Sequence, residues 1–257
     1  MNNWTMNLQL LLSLSAVTIA TLPLATYFAL TLPQSPFKSS PVDPSTGKAA
    51  VESERLAPIV PTAADRPLEQ IEKIVQRTIK TKSCVGCDLG NADFRQLDLS
   101  RVNLSKANLI QAEFEKAKLV NAVLTEADLR LANLRLSHLY GADLKRANLS
   151  QADLSQAELL HVSLAHANLT QTVLQNAELR DADLTSAKLN QADLQGASLY
   201  GTLLQKADLS GANLRGADLR YANLTGANLE GADLTNARLD LAILPNGEQS
   251  YTGKLEY

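Results

Sequence analysis

The chain has 257 residues, room for one large domain or two small ones. Its 24 basic and 27 acidic side chains leave a net charge of −3, which argues against a strongly cationic nucleic-acid binder and against a strongly acidic decoy of DNA. Two cysteines and three histidines exclude a disulfide-dense scaffold and a four-cysteine zinc site, and 4 Phe, 6 Tyr and 1 Trp are too few for an ordinary mixed core.

The first element is residues 1–32. No charged side chain occurs from Asn2 to Phe37, and residues 8–32 are mostly Leu, Ala, Thr and Ser. A helix of that length, at about 1.5 Å per residue, spans a bilayer core of about 30 Å. The segment reads as a transmembrane anchor or as a cleaved signal. No Lys or Arg precedes the apolar run, and Pro23-Leu24-Ala25 matches a small-residue cleavage site poorly, so the anchor is favoured. A cleaved segment would deliver the rest to a periplasm or thylakoid lumen. A soluble buried helix is the third reading.

Residues 33–67 carry seven of the nine prolines and no hydrophobic period, the composition of an extended, partly polyproline linker. Residues 68–82 follow as a short amphipathic helix. Leu68, Ile71, Ile74, Val75, Thr78 and Ile79 share one face, and Pro67 suits its first turn. Its place directly before the next region predicts a cap on an otherwise open end.

Residues 83–247 hold an internal repeat. Every fifth residue from Leu89 to Leu244 is Leu or Phe, 32 positions with no insertion. Two residues earlier, from Ala92 to Ala242, stands Ala, except at Leu97, Val102, Ser137, Val162, Thr172 and Thr202. The residue just before the Leu is Asp or Asn in 19 of 32 cases. A period of five fits neither an α-helix nor a continuous strand. The chain must turn at regular intervals so that the Leu and the small residue face one axis. Four short sides, 20 residues to a coil, achieve this. No proline occurs from Leu68 to Leu244, which suits backbone pairing between coils. Residues 248–257 form a C-terminal tail.

The unit A-(D/N)-L-x-x, as in Ala212-Asn213-Leu214-Arg215-Gly216, resembles the pentapeptide-repeat family over about Cys87 to Asn246. The flanks Ser83-Cys84-Val85-Gly86-Cys87-Asp88-Leu89 and Ile243-Leu244-Pro245-Asn246-Gly247 look like those of cyanobacterial members. The resemblance implies an all-β solenoid, a right-handed quadrilateral β-helix. Thirty-two units make about eight coils, a tower of about 38 Å at about 4.8 Å per coil. Phe94 and Phe114 are 20 apart and so stack on one side of successive coils.

Cys84 and Cys87 form C-x-x-C. Cys84 falls on the Leu phase and Cys87 on the small inward position, so buried filler is the favoured reading. A structural disulfide in an exported domain comes next, and catalytic redox chemistry last. The Asp/Asn column runs around four sides and does not converge on one point as calcium needs, so turn and backbone hydrogen bonding is expected of it. His138, His161 and His166 lack metal-ligand spacing, and no serine stands out as a nucleophile. No catalytic residue, cofactor or metal is expected, and the protein is read as not an enzyme.

The residues just after the Leu, taken every 20, make four columns. Three are largely polar. The fourth reads Val120, Tyr140, Leu160, Arg180, Tyr200, Arg220, and His138, His161 and Tyr221 project from the same side. Val120, His138, Tyr140, Leu160, His161, Tyr200 and Tyr221 are the candidate interaction face; scattered surface tyrosines are the competing account. The expected function is a membrane-tethered repeat scaffold that binds an unknown protein partner or itself, with membrane contact through residues 8–32 and no nucleic acid. The alternative, from family members that bind DNA gyrase by mimicking DNA, needs a strongly acidic surface. Residues 87–246 hold 19 acidic and 15 basic side chains, net −4, spread over all sides.

Overall fold

The computed structural model describes residues 68–251. The expected anchor or signal over 1–32, the linker over 33–67 and the last six residues of the tail lie outside the described residues. Among the described residues, no helix is long and apolar enough to cross a membrane.

The first element is α1, Leu68–Thr81. Glu69 in its first turn and Lys80 in its last suit the helix macrodipole, and Lys73 Nζ donates to Glu69 one turn back at 2.7 Å. Ile71 and Val75 are buried in the same apolar cluster as the repeat core, with Ile74 and Ile79 packed against it. Thr78 is fully buried on this stripe; its hydroxyl donates to the Ile74 carbonyl at 2.8 Å, so no polar atom is orphaned. Lys82, with φ of 53°, turns the chain out of the helix. Its amino group then donates to the Asp98 carbonyl at 2.9 Å, tying the helix end to the first coil.

From Ser83 the chain winds in coils of 20 residues. The residue before each Leu pairs in parallel with the residue 20 further on, in eight steps from Ser83 through Asn103 to Ile243. Each side of the coil contributes a single bridge residue, so the expected solenoid of four short sides is joined by isolated parallel bridges rather than by continuous strands. The reason lies in the use of amides. Around Leu149, the Leu N–H donates to the Asn168 carbonyl of the next coil at 2.7 Å, and the Gln151 N–H to Thr170 at 3.0 Å. The Ala152 N–H closes the turn onto Leu149 at 3.0 Å, and the Asn168 N–H reaches back to Ala147 at 2.9 Å. A turn every five residues leaves no room for a longer ladder.

The turn has a positive φ at its second central residue only, the type II signature. Glycine fills it at Gly216 and Gly231, but Gln151, His161 and Tyr221 sit there too, with φ between 54° and 60°. The surrounding coil bonds hold these side chains in a region they otherwise avoid.

The Leu and Phe side chains from Leu89 to Leu224 are at most 1% exposed, and the small residues between them are buried with few exceptions. Where a hydroxyl replaces the Ala methyl, it is satisfied: Ser137 donates to the Leu134 carbonyl and Thr202 to Leu199, each at 2.6 Å, and Thr172 to Leu149 at 2.8 Å. The Phe94 and Phe114 rings stack at 4.8 Å and 9°. Leu97, the one large residue in the small position, is in the first coil and only partly buried. No earlier coil confines it there.

At the far end the chain folds back. Ile243 pairs antiparallel with Gln249, and Leu241 and Ser250 are joined backbone to backbone at 2.7 Å. This return covers two sides of the last coil. Leu229, Ala232, Leu234 and Ala237, on the other two, remain partly exposed.

Candidate interaction face

The tower has one amide in five with no backbone partner, that of the residue just after each Leu. All 19 Asp and Asn residues of the column before the Leu serve it. Asp98 Oδ1 accepts from the Ser100 N–H at 2.9 Å, Asn148 from Ser150 at 3.2 Å and Asp153 from Ser155 at 2.9 Å, and the others repeat the contact. These Asx turns explain the column: a short side chain reaches the amide two residues on. Some also bond along the tower, as Asn168 Nδ2 does to Asn148 Oδ1 at 3.0 Å. Cation binding is not needed to account for them.

On one side this row lapses. The places before Val120, Tyr140, Leu160, Arg180 and Tyr200 hold Lys118, His138, Glu158, Glu178 and Ser198, so five consecutive coils lack the cap. Among the described residues, those five amides have no acceptor. The same five coils carry the apolar and aromatic column. The side that follows Leu109, Leu129 and Leu149 breaks the Asx row only once, at Lys188.

The candidate residues gather here in two clusters. The Tyr140 and His161 rings meet edge to face at 5.6 Å. Sixty residues on, Tyr200 and Tyr221 meet at 5.0 Å. Each cluster uses a glycine beside its first Tyr. A Cβ on Gly141 would stand 2.5 Å from Asn121 Oδ1, and one on Gly201 would collide with Asp181 Oδ1, so in both places the side chain one coil below occupies the space glycine leaves. Tyr140 and Tyr221 are about half exposed, Leu160 and Val120 partly buried. His138 is bound to Glu158, Nδ1 to Oε2 at 2.7 Å, and thus belongs to the row beneath the rings.

Beside the second cluster lies an open groove of about 460 Å³, lined by Glu178, Arg180, Asp181, Ser198, Tyr200, Asp218 and Arg220. Arg220 grips Asp218 through two nitrogens, at 2.8 and 2.6 Å, and its guanidinium lies over the Tyr200 ring at 5.4 Å. The bound Arg220 holds the Asp218 carboxyl below the usual carboxylate range, against the opposing effect of burial. Arg180 Nε donates to Glu178 at 2.7 Å. Asp181 has no ion-pair partner among the described residues. The charged half of this face, Glu158, Glu178, Asp181 and Asp218, was absent from the expected set. Reading the column before the Leu at 20-residue intervals exposes most of it.

Cys84 and Cys87 are joined in a disulfide. The favoured expectation of unlinked buried filler is corrected: the two sulfurs occupy the inward places predicted by their phase, but as a bonded pair. Across each corner the Leu-phase side chain and the next small residue both point to the axis, close enough for a bond between cysteines. Among the described residues, no group of His, Cys, Asp and Glu is arranged to hold a metal ion.

A family model of pentapeptide repeats matches residues 83–119, 117–156, 197–236 and 207–245. A second model, of the pentapeptide repeat region, matches 137–214. Among solved structures, the chain is similar to HetL, a pentapeptide repeat protein involved in heterocyst differentiation regulation from the cyanobacterium Nostoc sp. strain PCC 7120. The identity is 31% over 68% of this chain and 98% of that one, with a TM-score of 0.43. A second Nostoc pentapeptide repeat protein is 46% identical over 31% of this chain and 66% of that chain, TM-score 0.31. One from the Arabidopsis thaliana thylakoid lumen is 32% identical over 40% and 68%, TM-score 0.32. No curated protein matches the chain. With the five-residue unit organising every coil and the family models covering it from 83 to 245, the chain belongs to the pentapeptide-repeat family.

Proposed function

We infer that this protein is a non-enzymatic scaffold, held at a membrane through residues 8–32, that docks a protein partner on the side bearing Tyr140, Leu160, His161, Tyr200 and Tyr221. One observation carries the reading. The Asx row lapses for five consecutive coils on the side where apolar and aromatic residues line up. A purely structural tower has no reason to drop its caps in the same five coils in which Val120, Tyr140, Leu160 and Tyr200 line up. Free N–H donors beside half-exposed rings are what a docking surface offers.

The span from Tyr140 to Tyr200 is three coil steps, about 14 Å, which suits a small interface or an extended segment more than a large globular contact. The coil is taken as right-handed, as in the family. The Cys84–Cys87 disulfide supports an oxidising compartment, periplasm or thylakoid lumen, for the tower. Mimicry of DNA is disfavoured because acids and bases alternate, as in the Asp128–Arg130 and Asp218–Arg220 pairs.

The test compares two triple variants. Tyr140, Leu160 and Tyr200 are changed together to Ser, and in parallel Arg95, Glu115 and Gln175 on another side. Pull-downs from native membranes should lose partners only with the first. Equal loss in both, or loss only in the second, refutes the assignment.

A further inference from the structure

The tower itself shows what one of its open places lacks. Asn108, Asn133, Asn213 and Asn228 each stand one coil above an acid and bond in two directions. Each accepts through Oδ1 from the amide two residues on, at 3.1 to 3.2 Å. Each donates through Nδ2 to the carboxylate below, that of Asp88, Glu113, Asp193 or Asp208, at 2.8 to 3.1 Å. Asn148 above Asp128 makes only the first bond, and the cause is visible: Arg130 takes both oxygens of that carboxylate.

Ser198 holds the corresponding place above Glu178. Its hydroxyl does not cap the Tyr200 amide, which has no acceptor among the described residues. Arg180 takes only Oε1 of Glu178, at 2.7 Å, which leaves Oε2 open. A free donor and a free acceptor therefore face a place that a short side chain leaves vacant, in the wall of the groove beside Tyr200. We propose that this place binds the side-chain amide of an asparagine carried by a protein partner. The partner's oxygen accepts from the Tyr200 N–H and its nitrogen donates to Glu178 Oε2, as Asn133 does between Arg135 and Glu113. This rests on the docking-face reading and names the chemical group that the face recognises.

Charge selects a neutral group. Glu178, Asp181 and Asp218 in the groove are matched by Arg180, Arg220 and Arg238, the last within 4.0 Å of Asp218. A carboxylate in the vacant place would stand between Glu178 below and Asp218 above, each one coil step of about 4.8 Å away. An ammonium could bond Glu178 but would set a donor against the Tyr200 donor. A carboxamide has both an acceptor and donors. The Tyr200 and Tyr221 rings, 5.0 Å apart beside the place, offer apolar contact to the residues that flank the asparagine.

The other breaks in the row do not offer the same place. Lys118, His138, Glu158 and Glu178 fill theirs with long side chains. Ser163, the serine in the row on another side, has a buried hydroxyl, and Ala165 two residues on is buried as well.

NMR of the full chain in detergent, labelled with 15N at its six tyrosines, tests the assignment. The probes are acetyl-Gly-Asn-Gly N-methylamide and the same peptide with Asp or Ala at its centre. The Asn peptide should move the Tyr200 amide proton downfield and leave that of Tyr140, whose place His138 fills. Half-saturation should need roughly tenfold less of the Asn peptide than of the other two, the net worth of two hydrogen bonds. Ser198→Asn supplies the group from the chain itself, so its Tyr200 signal should already lie downfield and no longer respond. Glu178→Ala, with an unchanged thermal melt, should erase most of the preference for Asn over Ala. A Tyr200 signal that no peptide moves, an Asp or Ala peptide as effective as the Asn one, or a response that survives Ser198→Asn overturns the assignment. If it fails while the Tyr140/Leu160/Tyr200 variant still loses its partners, the docking face stands without this group. If that variant keeps its partners too, both readings fail.

Discussion

Two sides of the same tower, built on the same pentad, differ in what they do with one amide. On the side that follows Leu109, Leu129 and Leu149, Asn or Asp caps it in nearly every coil, and Asn148 is bonded both to the Ser150 N–H and to Asn168. On the side that follows Leu119, Leu139 and Leu159, five coils in a row leave it open under Val120, Tyr140, Leu160, Arg180 and Tyr200. Inside, the two sides are alike: Ala147 and Ala157, Leu149 and Leu159 are all buried. The fold is therefore carried by the inward positions, and the outer row is free to depart from the repeat where something else is selected. A break in the Asx row is a more informative signal than an exposed tyrosine alone.

The largest expected effect should not distinguish the sides at all. Ala147→Leu and Ala157→Leu both overpack the axis, and each should cost at least about 1–3 kcal/mol. Denaturant midpoints of the two variants that differ by as much as either differs from the parent would mean that the core does not treat the sides equally.

The caps should separate them. Asn148→Ala removes the acceptor for the Ser150 amide and for Asn168, and should cost about 1 kcal/mol. Glu158→Ala, in the same place on the open side, should change stability by less than about 0.5 kcal/mol. Ser198→Asn sharpens the comparison by installing a cap for the Tyr200 amide. It should stabilise the tower while weakening docking on that side. Thermal melts and partner capture read the two effects on one sample.

The smallest effect concerns acid. The Thr235 hydroxyl and amide, helped by Arg215, lower the Asp233 carboxyl to about 2. Arg220 lowers Asp218, and Arg95 lowers Asp93. A carboxyl depressed in the folded state contributes stability above its unfolded value, near 4, and that contribution fades as pH falls toward its folded value. The melting temperature should therefore drop between about pH 4 and pH 2, and Asp233→Asn should flatten the drop slightly. An equally steep profile in the variant would show that Asp233 is not among the groups responsible.

Much of the fold is legible in the chain because the repeat is unbroken. Thirty-two Leu or Phe at a period of five, with a small residue two before, require a coil of short sides, and the 20-residue return places Phe94 under Phe114 and Tyr140 under Leu160. The site was only half legible. Tyr140, Leu160 and Tyr200 stand in one phase and can be counted out, but Glu158, Glu178 and Asp181 belong to other phases. They meet the column only because each turn brings neighbouring phases to one corner.

Sequence by itself determined the period, the inward residues, the number of coils and the column on which the tyrosines fall, because these follow from counting along a chain that never slips its phase. Only the tertiary structure decided which of the five amides lacks a backbone partner, and hence why Asp and Asn recur before the Leu. It also decided that Cys84 and Cys87 bond across a corner, and that His161 meets Tyr140 as Tyr221 meets Tyr200. Those facts depend on the direction in which each N–H and side chain leaves the turn. That direction is set by the positive φ and by the coils above and below, neither of which a period can express.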